Sequence, residues 1–441
     1  MQLKIEKLVY GGEGLARVEQ PDGKRKTVFV PLVLPGETVE VSLVEERPGF
    51  ARGKLERVLE PSPHRTSPSC PYFGDCGGCH YQHSTYDEQV RQKQQILRET
   101  VARIAKIELP EIVPHASPSL HYRNRTRLKL ASSADTAQKL VVGYHKLGSH
   151  ELLPVRECPI SSPLVNRAIQ TLWQLGATSE LPEGLAEIEL FADHADEHLL
   201  VEFLVAMKRD QAALSRFAVA MQEAMREIVG IASVPYRRAG DDLTAARELN
   251  GPGQEKASPL VGRDYLDYRV AEFTYRVSAG SFFQTNRHLT ETLIELACGG
   301  AQGKLAIDLY AGVGLFTSPL AKSFDRVIAV ESAPSSFGDL KSNAPRNVKP
   351  VQSTTEVFLQ RTPQNPDFVI VDPPRAGLGK RVVAGLVKLA PKSLAYVSCD
   401  PSTLARDLPG LLSAGYRITQ AHLIDLFPQT FHIETILRME R

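Results

Sequence analysis

The chain has 441 residues, enough for two or three domains with cores of their own. Its formal net charge is +1, so any nucleic-acid surface has to be a local patch rather than a whole-chain field. No run approaches the length of a membrane span, and Met1-Gln-Leu-Lys-Ile-Glu-Lys lacks the apolar core of a signal peptide, so the expected setting is the cytoplasm with no membrane partner. Six cysteines (Cys70, Cys76, Cys79, Cys158, Cys298, Cys399) in a reducing compartment suggest metal binding or catalysis more than disulfides.

Residues 1 to about 60 alternate short strand-like runs with turn signals. The turns are Gly11-Gly12-Glu13-Gly14, Asp22-Gly23 and Pro35-Gly36, and the runs include Thr27 to Val30, Thr38 to Val44 and Gly53 to Val58. Short strands at regular spacing predict a small all-β barrel. Gly-Gly-Glu-Gly-Leu-Ala-Arg, Val-Phe-Val-Pro and Leu-Pro-Gly-Glu resemble a TRAM domain, an OB-like barrel found on RNA-modifying enzymes.

A proline-rich hinge, Pro61-Ser-Pro-His-Arg, leads into Cys70-Pro-Tyr-Phe-Gly-Asp-Cys76-Gly-Gly-Cys79, and a fourth cysteine follows far along at Cys158-Pro. The two glycines allow close backbone approach to an inorganic cluster and N–H groups aimed at it. Four thiolates suit tetrahedral zinc or an iron–sulfur cluster. Zinc ribbons usually carry two close pairs, and the three-and-one split favours the 4Fe-4S cluster, with zinc as the alternative.

Residues 86 to 106 have the pattern of an amphipathic helix, with Val90, Ile96, Leu97, Val101, Ile104 and Ala105 near its core face and Gln and Arg on the other. The alternation over His121 to Lys129 predicts a strand with Arg123, Arg125, Arg127 and Lys129 on one face. Four like charges repel one another unless something anionic lies opposite, and RNA phosphate is the expected partner. From 140 to 235 the pattern is α+β, with strands at Leu140 to Tyr144, Glu187 to Phe191 and Leu199 to Val205, and helices near 163–175 and 209–229. Residues 237 to 259 read as an irregular connector. The expected units are therefore a barrel over 1–60, a central α+β unit with the cysteine cluster over 61–258, and a Rossmann-like α/β unit over 259–441.

In that last unit, Leu305-Ala-Ile-Asp-Leu-Tyr310 is a buried strand opening into Ala311-Gly312-Val-Gly314, and the next strand ends at Glu331. An acid at the end of the second strand suits a ribose diol. Thr317 stands where a dinucleotide fold has its third glycine, which fits S-adenosylmethionine better than NAD. Asp367 to Val371 runs into Asp372-Pro373-Pro374-Arg375, placing an acid and two rigid prolines at a strand's carboxyl end, where open α/β sheets bind ligands. Tyr396-Val-Ser-Cys399-Asp-Pro401 puts a thiol where the next strand breaks. Glu434, among apolar neighbours in the last strand, is a costly carboxylate unless it has a task.

Together, Cys-x5-Cys-Gly-Gly-Cys, Ser281-Phe-Phe-Gln284-Thr-Asn286, Asp372-Pro-Pro-Arg-Ala-Gly377, Ser398-Cys-Asp-Pro-Ser-Thr-Leu-Ala-Arg406 and Phe427-Pro-Gln-Thr-x-His-x-Glu434 resemble the RNA 5-methyluridine methyltransferases. Within that family they are most similar to the TRAM-containing, iron–sulfur, ribosomal-RNA branch. The resemblance implies that Gln284, the Tyr310 to Gly314 loop (with Gly312), Glu331 and Asp372 hold S-adenosylmethionine. It makes Cys399 the nucleophile, Glu434 the base, and Cys70, Cys76, Cys79 and Cys158 the cluster ligands. The chain departs from the family pattern at Leu315, over Ser332 to Gly338, and at Thr354.

The chemistry asks for these residue types. C5 of uracil is a weak nucleophile, so thiolate addition at C6 creates an enolate able to attack a methyl sulfonium, and a base must then remove the C5 proton. Cytosine-5 enzymes usually carry a second cysteine beside the fourth-strand proline motif, and Asp372-Pro-Pro-Arg has none, which favours uridine. The expected partner is RNA, ribosomal RNA ahead of transfer RNA, acted on by a monomer. A non-catalytic RNA-binding protein with the same barrel and cluster is the reading from another class. Cys298 has no role in any of them.

Overall fold

A computed structural model of the protein describes residues 1–19, 23, 25–133, 138–236, 257–361 and 365–441. Asp22 of the expected turn and residues 237–256 of the expected connector lie outside them. Among the described residues no helix is long and apolar enough to cross a membrane.

The N-terminal sheet has six strands in the order Gln2–Lys4, Thr38–Arg47, Phe50–Glu60, Arg25–Pro31, Glu13–Glu19, Lys7–Leu8. Alternating side chains bury Val28, Val30, Val39, Val41 and Ala51 in one core. The Leu34-Pro-Gly-Glu37 turn has a task beyond reversing the chain. The buried Glu37 carboxylate accepts the N–H of Leu34 at 2.8 Å and that of Ser62 at 3.2 Å, and pairs with Arg65 at 2.5 Å. The carboxylate thereby fastens the proline hinge to the barrel.

The central sheet runs Leu152–Pro154, Leu140–His145, Arg125–Ser132, Leu185–Ala192, Leu199–Val205, Ile228–Pro235, Ser258–Gly262. Helices Pro163–Thr178 and Gln211–Ala224 cover it, capped by the Ser162 and Asp210 side chains. Here the expectation for the basic strand is overturned. Arg125, Arg127 and Lys129 share a face, but the anions opposite are carboxylates of this chain. Register pairs Lys129 with Glu187 and Arg127 with Glu189, and Glu189 in turn lies across from Glu202. Arg125 is 7% exposed and pairs with Glu189 and, at 2.9 Å, with Glu202, while Arg127 reaches Glu189 at 2.5 Å and Lys129 pairs with Glu187. Arg123 precedes the strand and donates from Nε to the Arg125 carbonyl at 2.8 Å. The row is a ladder neutralised by this chain's own carboxylates, buried at Arg125 and open to solvent at Arg127.

The C-terminal sheet has eight strands, ordered Val348–Gln352, Phe324–Glu331, Gly303–Leu309, Phe368–Val371, Ser393–Ser398, Glu434–Glu440, Arg417–Ile424, Ile112–His115. The first five are parallel, and Glu434–Glu440 runs antiparallel to both its neighbours. Alternation splits the core: Ile307, Leu309, Val369 and Val371 face one layer, Ala306, Phe368, Ile370 and Ala395 the other. Two elements from the 61–258 stretch belong to this sheet by packing. Strand Ile112–His115 forms its edge, and helix Tyr86–Ala105 packs on helix Pro401–Ser413.

That helix also corrects its expected polarity. Ile104 is 36% exposed, whereas Gln89, Gln92 and Lys93 are buried. Lys93 pairs with Asp425 at 2.6 Å and donates to the Phe427 carbonyl at 3.0 Å, so the polar side of the helix grips a loop instead of facing water.

Because the Arg125 pair is buried and the Arg127 guanidinium is half exposed, the two should differ in stability cost. Arg125→Ala is expected to lose about 3–5 kcal/mol in urea denaturation, since it strands two carboxylates. Arg127→Ala is expected to lose no more than about 1 kcal/mol. Equal losses would refute the internal ladder.

Candidate active site

Parallel strands deliver their carboxyl ends to one edge of the sheet, and the chemical residues stand along it. Strand Phe368–Val371 opens into Asp372-Pro-Pro-Arg375, and strand Ser393–Ser398 into Cys399. Ser398 pairs with Thr435 in the antiparallel register, which seats the following Cys399 across from Glu434. Asp400 caps helix Pro401–Ser413 by accepting the N–H groups of Ser402 and Thr403, each at 2.9 Å. A strand end and a helix start thus hold the thiol from both sides.

Burial pushes the Cys399 thiol up to about 12, and the Glu434 and Asp372 carboxyls push the same way, with Arg375 opposing. Glu434 is 6% exposed, and burial followed by Asp372 raises its carboxyl well above the usual range. Burial lifts Asp372 to about 7. Arg375 is exposed, and its guanidinium lies 3.4 Å from His432 Nε2. Burial, then Arg375, drops His432 to about 3, so the imidazole is neutral.

The cofactor loop needs left-handed backbone at Tyr310 (φ 64°), Gly312 (φ 56°) and Gly314 (φ 98°). A Cβ built at Gly312 would meet nothing within 4 Å, so space lies open beside it. Glu331 holds the loop: it accepts the Gly312 N–H at 2.8 Å and those of Ser332 and Ala333 at 2.7 and 2.6 Å. Gln284 lies buried in the segment after strand Phe273–Ser278. Thr317, in the place of a third glycine, donates to Asp308 at 2.5 Å. Asp308 is fully buried and raised to about 7 by that burial, and its second oxygen has no partner among the described residues. An acid inside the apolar run Leu305 to Leu309 was the sequence signal for it.

The family departures have structural explanations. Leu315 is buried in the core, and its carbonyl accepts the Tyr275 hydroxyl at 2.9 Å. Pro334 sits in the first turn of helix Pro334–Asn343, where its missing N–H costs nothing. Thr354 accepts the Val357 N–H at 3.4 Å at the start of helix Thr355–Arg361.

Residues that sequence reasoning missed wall the mouth of the site. The Tyr10 hydroxyl, from the N-terminal barrel, donates to the Cys399 carbonyl at 3.3 Å, and its ring meets Phe431 edge-on at 5.6 Å. His80 meets the same ring at 4.6 Å, and Phe431 lies 4.3 Å from His432. The flanking glycines 11 and 12 were the only local hint at Tyr10, and they signal a turn rather than a contact.

Cys70, Cys76, Cys79 and Cys158 are all free and line one cavity of about 190 Å³ together with Tyr72, Phe73 and Arg123. Burial lifts the Cys79 thiol to about 12, with the neighbouring cysteines adding to the rise. Among the described residues no three His, Cys, Asp or Glu side chains converge closely enough to hold a single metal ion. Gly78 donates its N–H to Cys76 Sγ at 3.4 Å, and the Gly77 N–H is spent on the His145 carbonyl at 3.0 Å. Cys298 lies in the apolar core, apart from both groups.

Residues 85–441 match the model of the tRNA (uracil-5-)-methyltransferase family, and residues 1–55 that of the TRAM domain. An uncharacterized RNA methyltransferase of Aquifex aeolicus is 32% identical, covering 100% of this chain and 98% of its own. A 23S rRNA (uracil(1939)-C(5))-methyltransferase of Shewanella denitrificans is also 32% identical, covering 100% and 96%. The crystal structure of a Pyrococcus abyssi tRNA (uracil-54, C5)-methyltransferase in complex with S-adenosyl-L-homocysteine shares the fold, with a TM-score of 0.74, 24% identity and full coverage of both chains. The chain belongs to the tRNA (uracil-5-)-methyltransferase family, in a form that carries a TRAM domain ahead of the catalytic part.

Proposed function

We propose that this protein methylates C5 of a uridine in RNA, with 23S ribosomal RNA as the substrate, Cys399 as nucleophile and Glu434 as base. The observation that carries the reading is the strand register that seats Cys399 across from Glu434 beside Asp372. The ribosomal assignment draws on the 23S rRNA methyltransferase that aligns with the chain from end to end.

The Cys399 thiolate adds to C6, and the electron pair released to C5 attacks the donor's methyl group. The methyl leaves its sulfonium sulfur as that pair bonds to it, Glu434 then takes the C5 proton, and re-formation of the C5–C6 double bond expels the thiolate. S-adenosylmethionine supplies the activated methyl and a positive charge. The residues fit it: Asp308, with an orphaned buried oxygen, and Asp372 form an acidic cradle beside the open space at Gly312. Burial and two carboxyls raise the Cys399 thiol, and a cation beside it would favour the thiolate.

We also infer that the four cysteines of the 190 Å³ cavity hold a 4Fe-4S cluster. A single zinc needs its sulfurs about 2.3 Å from one point. The three-and-one split of the cysteines along the chain supports the cluster over zinc.

Each of these readings has a test. With 5-fluorouridine-substituted ribosomal RNA and the methyl donor, the wild type should form a covalent adduct stable to denaturing gels, and Cys399→Ala none. Glu434→Gln should accumulate the adduct even on ordinary RNA, because the C5 proton stays; free turnover in that variant would remove Glu434 as base. Adduct formation should climb with pH, since Cys399 adds as the thiolate, and Arg375→Gln should move the climb to higher pH by removing the cation that opposes the rise in Cys399. Anaerobic purification should yield iron and sulfide in equal amounts, and stoichiometric zinc would overturn the cluster. Methylation of transfer RNA alone would correct the substrate.

A further inference from the structure

A second concavity lies outside the chemistry described so far. The turn between strands Leu140–His145 and Leu152–Pro154 folds over the outer side of the cysteine loop, and between them is a groove of about 560 Å³. Its walls are fixed by main-chain bonds. Gly77 donates to the His145 carbonyl at 3.0 Å, Leu147 to that of Asp75 at 2.7 Å, and Lys146 to that of Glu151 at 2.9 Å. The volume falls in the range of about 300–1,000 Å³ usual for sites that hold a small organic group.

The lining has one chemical character. His80, His145, Lys146 and His150 contribute three imidazoles and an ammonium, and among the described residues lining the groove none is acidic. The nearby Glu151 pairs with Lys146, but both side chains are well exposed, and a surface pair of this kind is weak enough to yield to a phosphate. The His145 and His150 rings meet edge-on at 5.4 Å, offering a base a ring surface to stack on. Gly77 and Gly78 leave the cysteine-loop wall free of side chains, so a sugar-phosphate chain can lie close.

His80 joins this groove to the catalytic mouth. It lines the groove, its ring packs on Phe431 at 4.6 Å, and its Nδ1 is buried without a partner among the described residues. From Phe431 the wall continues to Tyr10, which touches Cys399. A uridine attacked at C6 has to leave its stack, and the strand beside it has to follow a path over the protein surface.

We propose that this groove takes the nucleotide next to the target uridine, its phosphate against Lys146 and the imidazoles and its base against the His145–His150 pair. The inference rests on the RNA-methylation reading and deepens it, because it gives the enzyme a contact that reads the strand beside the reacting base.

The test is ultraviolet crosslinking of the wild-type holoprotein to 23S ribosomal RNA containing 4-thiouridine, followed by digestion and mass spectrometry. Nucleotide adducts are expected on the peptide spanning residues 144–151, and adducts confined to other peptides would overturn the proposal. In parallel, H145A/K146A/H150A should raise the KM for RNA about tenfold, the loss of roughly one stacked or ion-paired nucleotide. Binding of S-adenosylmethionine, the cluster absorbance and the melting temperature should stay as in the wild type, and a KM for RNA within twofold of wild type would overturn the proposal. K146E alone, a surface change, serves if the triple variant folds poorly, and should raise the KM in the same direction. Crosslinking needs no turnover, so RNA held at 144–151 but never methylated would sink the methylation reading and leave the groove, while methylation without such crosslinks would do the reverse.

Discussion

The site depends on how the loop from Asp425 to Phe431 is held. Lys93 and Asp425 form an ion pair with both side chains wholly buried, and the same ammonium donates to the Phe427 carbonyl. Burial pulls the Lys93 ammonium down while Asp425 pulls it back up. One helical turn earlier, Gln89 exchanges two hydrogen bonds with Gln429, at 2.9 and 3.0 Å. Gln429 has φ 68°, a left-handed conformation that a non-glycine residue keeps only when its surroundings enforce it. Its carbonyl accepts the N–H groups of His80 and Tyr81, at 2.8 and 3.0 Å, and the Tyr122 hydroxyl donates to the Pro428 carbonyl at 3.0 Å. A buried pair of charges adds little net stability, because desolvation offsets most of the attraction. What it supplies is a single position: no other placement of the loop satisfies both charges. Phe431, His432 and Glu434 inherit that position.

The electrostatics of the site follow from the same enclosure. Two carboxyls, Asp372 and Glu434, sit in low dielectric beside the thiol, and Asp308 lies buried beyond Asp372; each is pushed towards its neutral form. Arg375 is the cation that opposes them from the mouth, and its neighbour His432 is neutral and adds no charge. A cationic methyl donor stabilises the ionised carboxyls and the thiolate together, which couples readiness to attack with presence of the methyl.

The candidate residues could be picked out because each stands at a local signal. Gly312 and Gly314 mark a left-handed loop, Pro373 and Pro401 mark strand ends, and an acid in an apolar strand marks Glu434. None of these depends on a remote partner. The basic strand and the long helix were read correctly in period and wrongly in environment, for a common reason. Alternation gave the shared face of Arg125, Arg127 and Lys129, but the carboxylates opposite Arg125 and Arg127 lie 62 to 77 residues further along. The helix polarity likewise turned on Asp425, 332 residues beyond Lys93. The wall at the mouth was the least legible feature, since Tyr10 and Cys399 are 389 residues apart and no local pattern links them.

This placement gives the split of the cysteines a physical sense. Cys79 is followed at once by His80 and Tyr81, whose N–H groups hold Gln429, and His80 also rests on Phe431. Cys158 sits elsewhere, before helix Pro163–Thr178, with its N–H and carbonyl tied to Asn166 at 2.8 and 3.0 Å. A group bonded to all four sulfurs would join the central sheet to the segment that clamps the catalytic loop. Three ligands on one short loop alone would order that loop and nothing else. The fourth, from a different element, would turn local order into a fixed distance between the central domain and the wall of the active site.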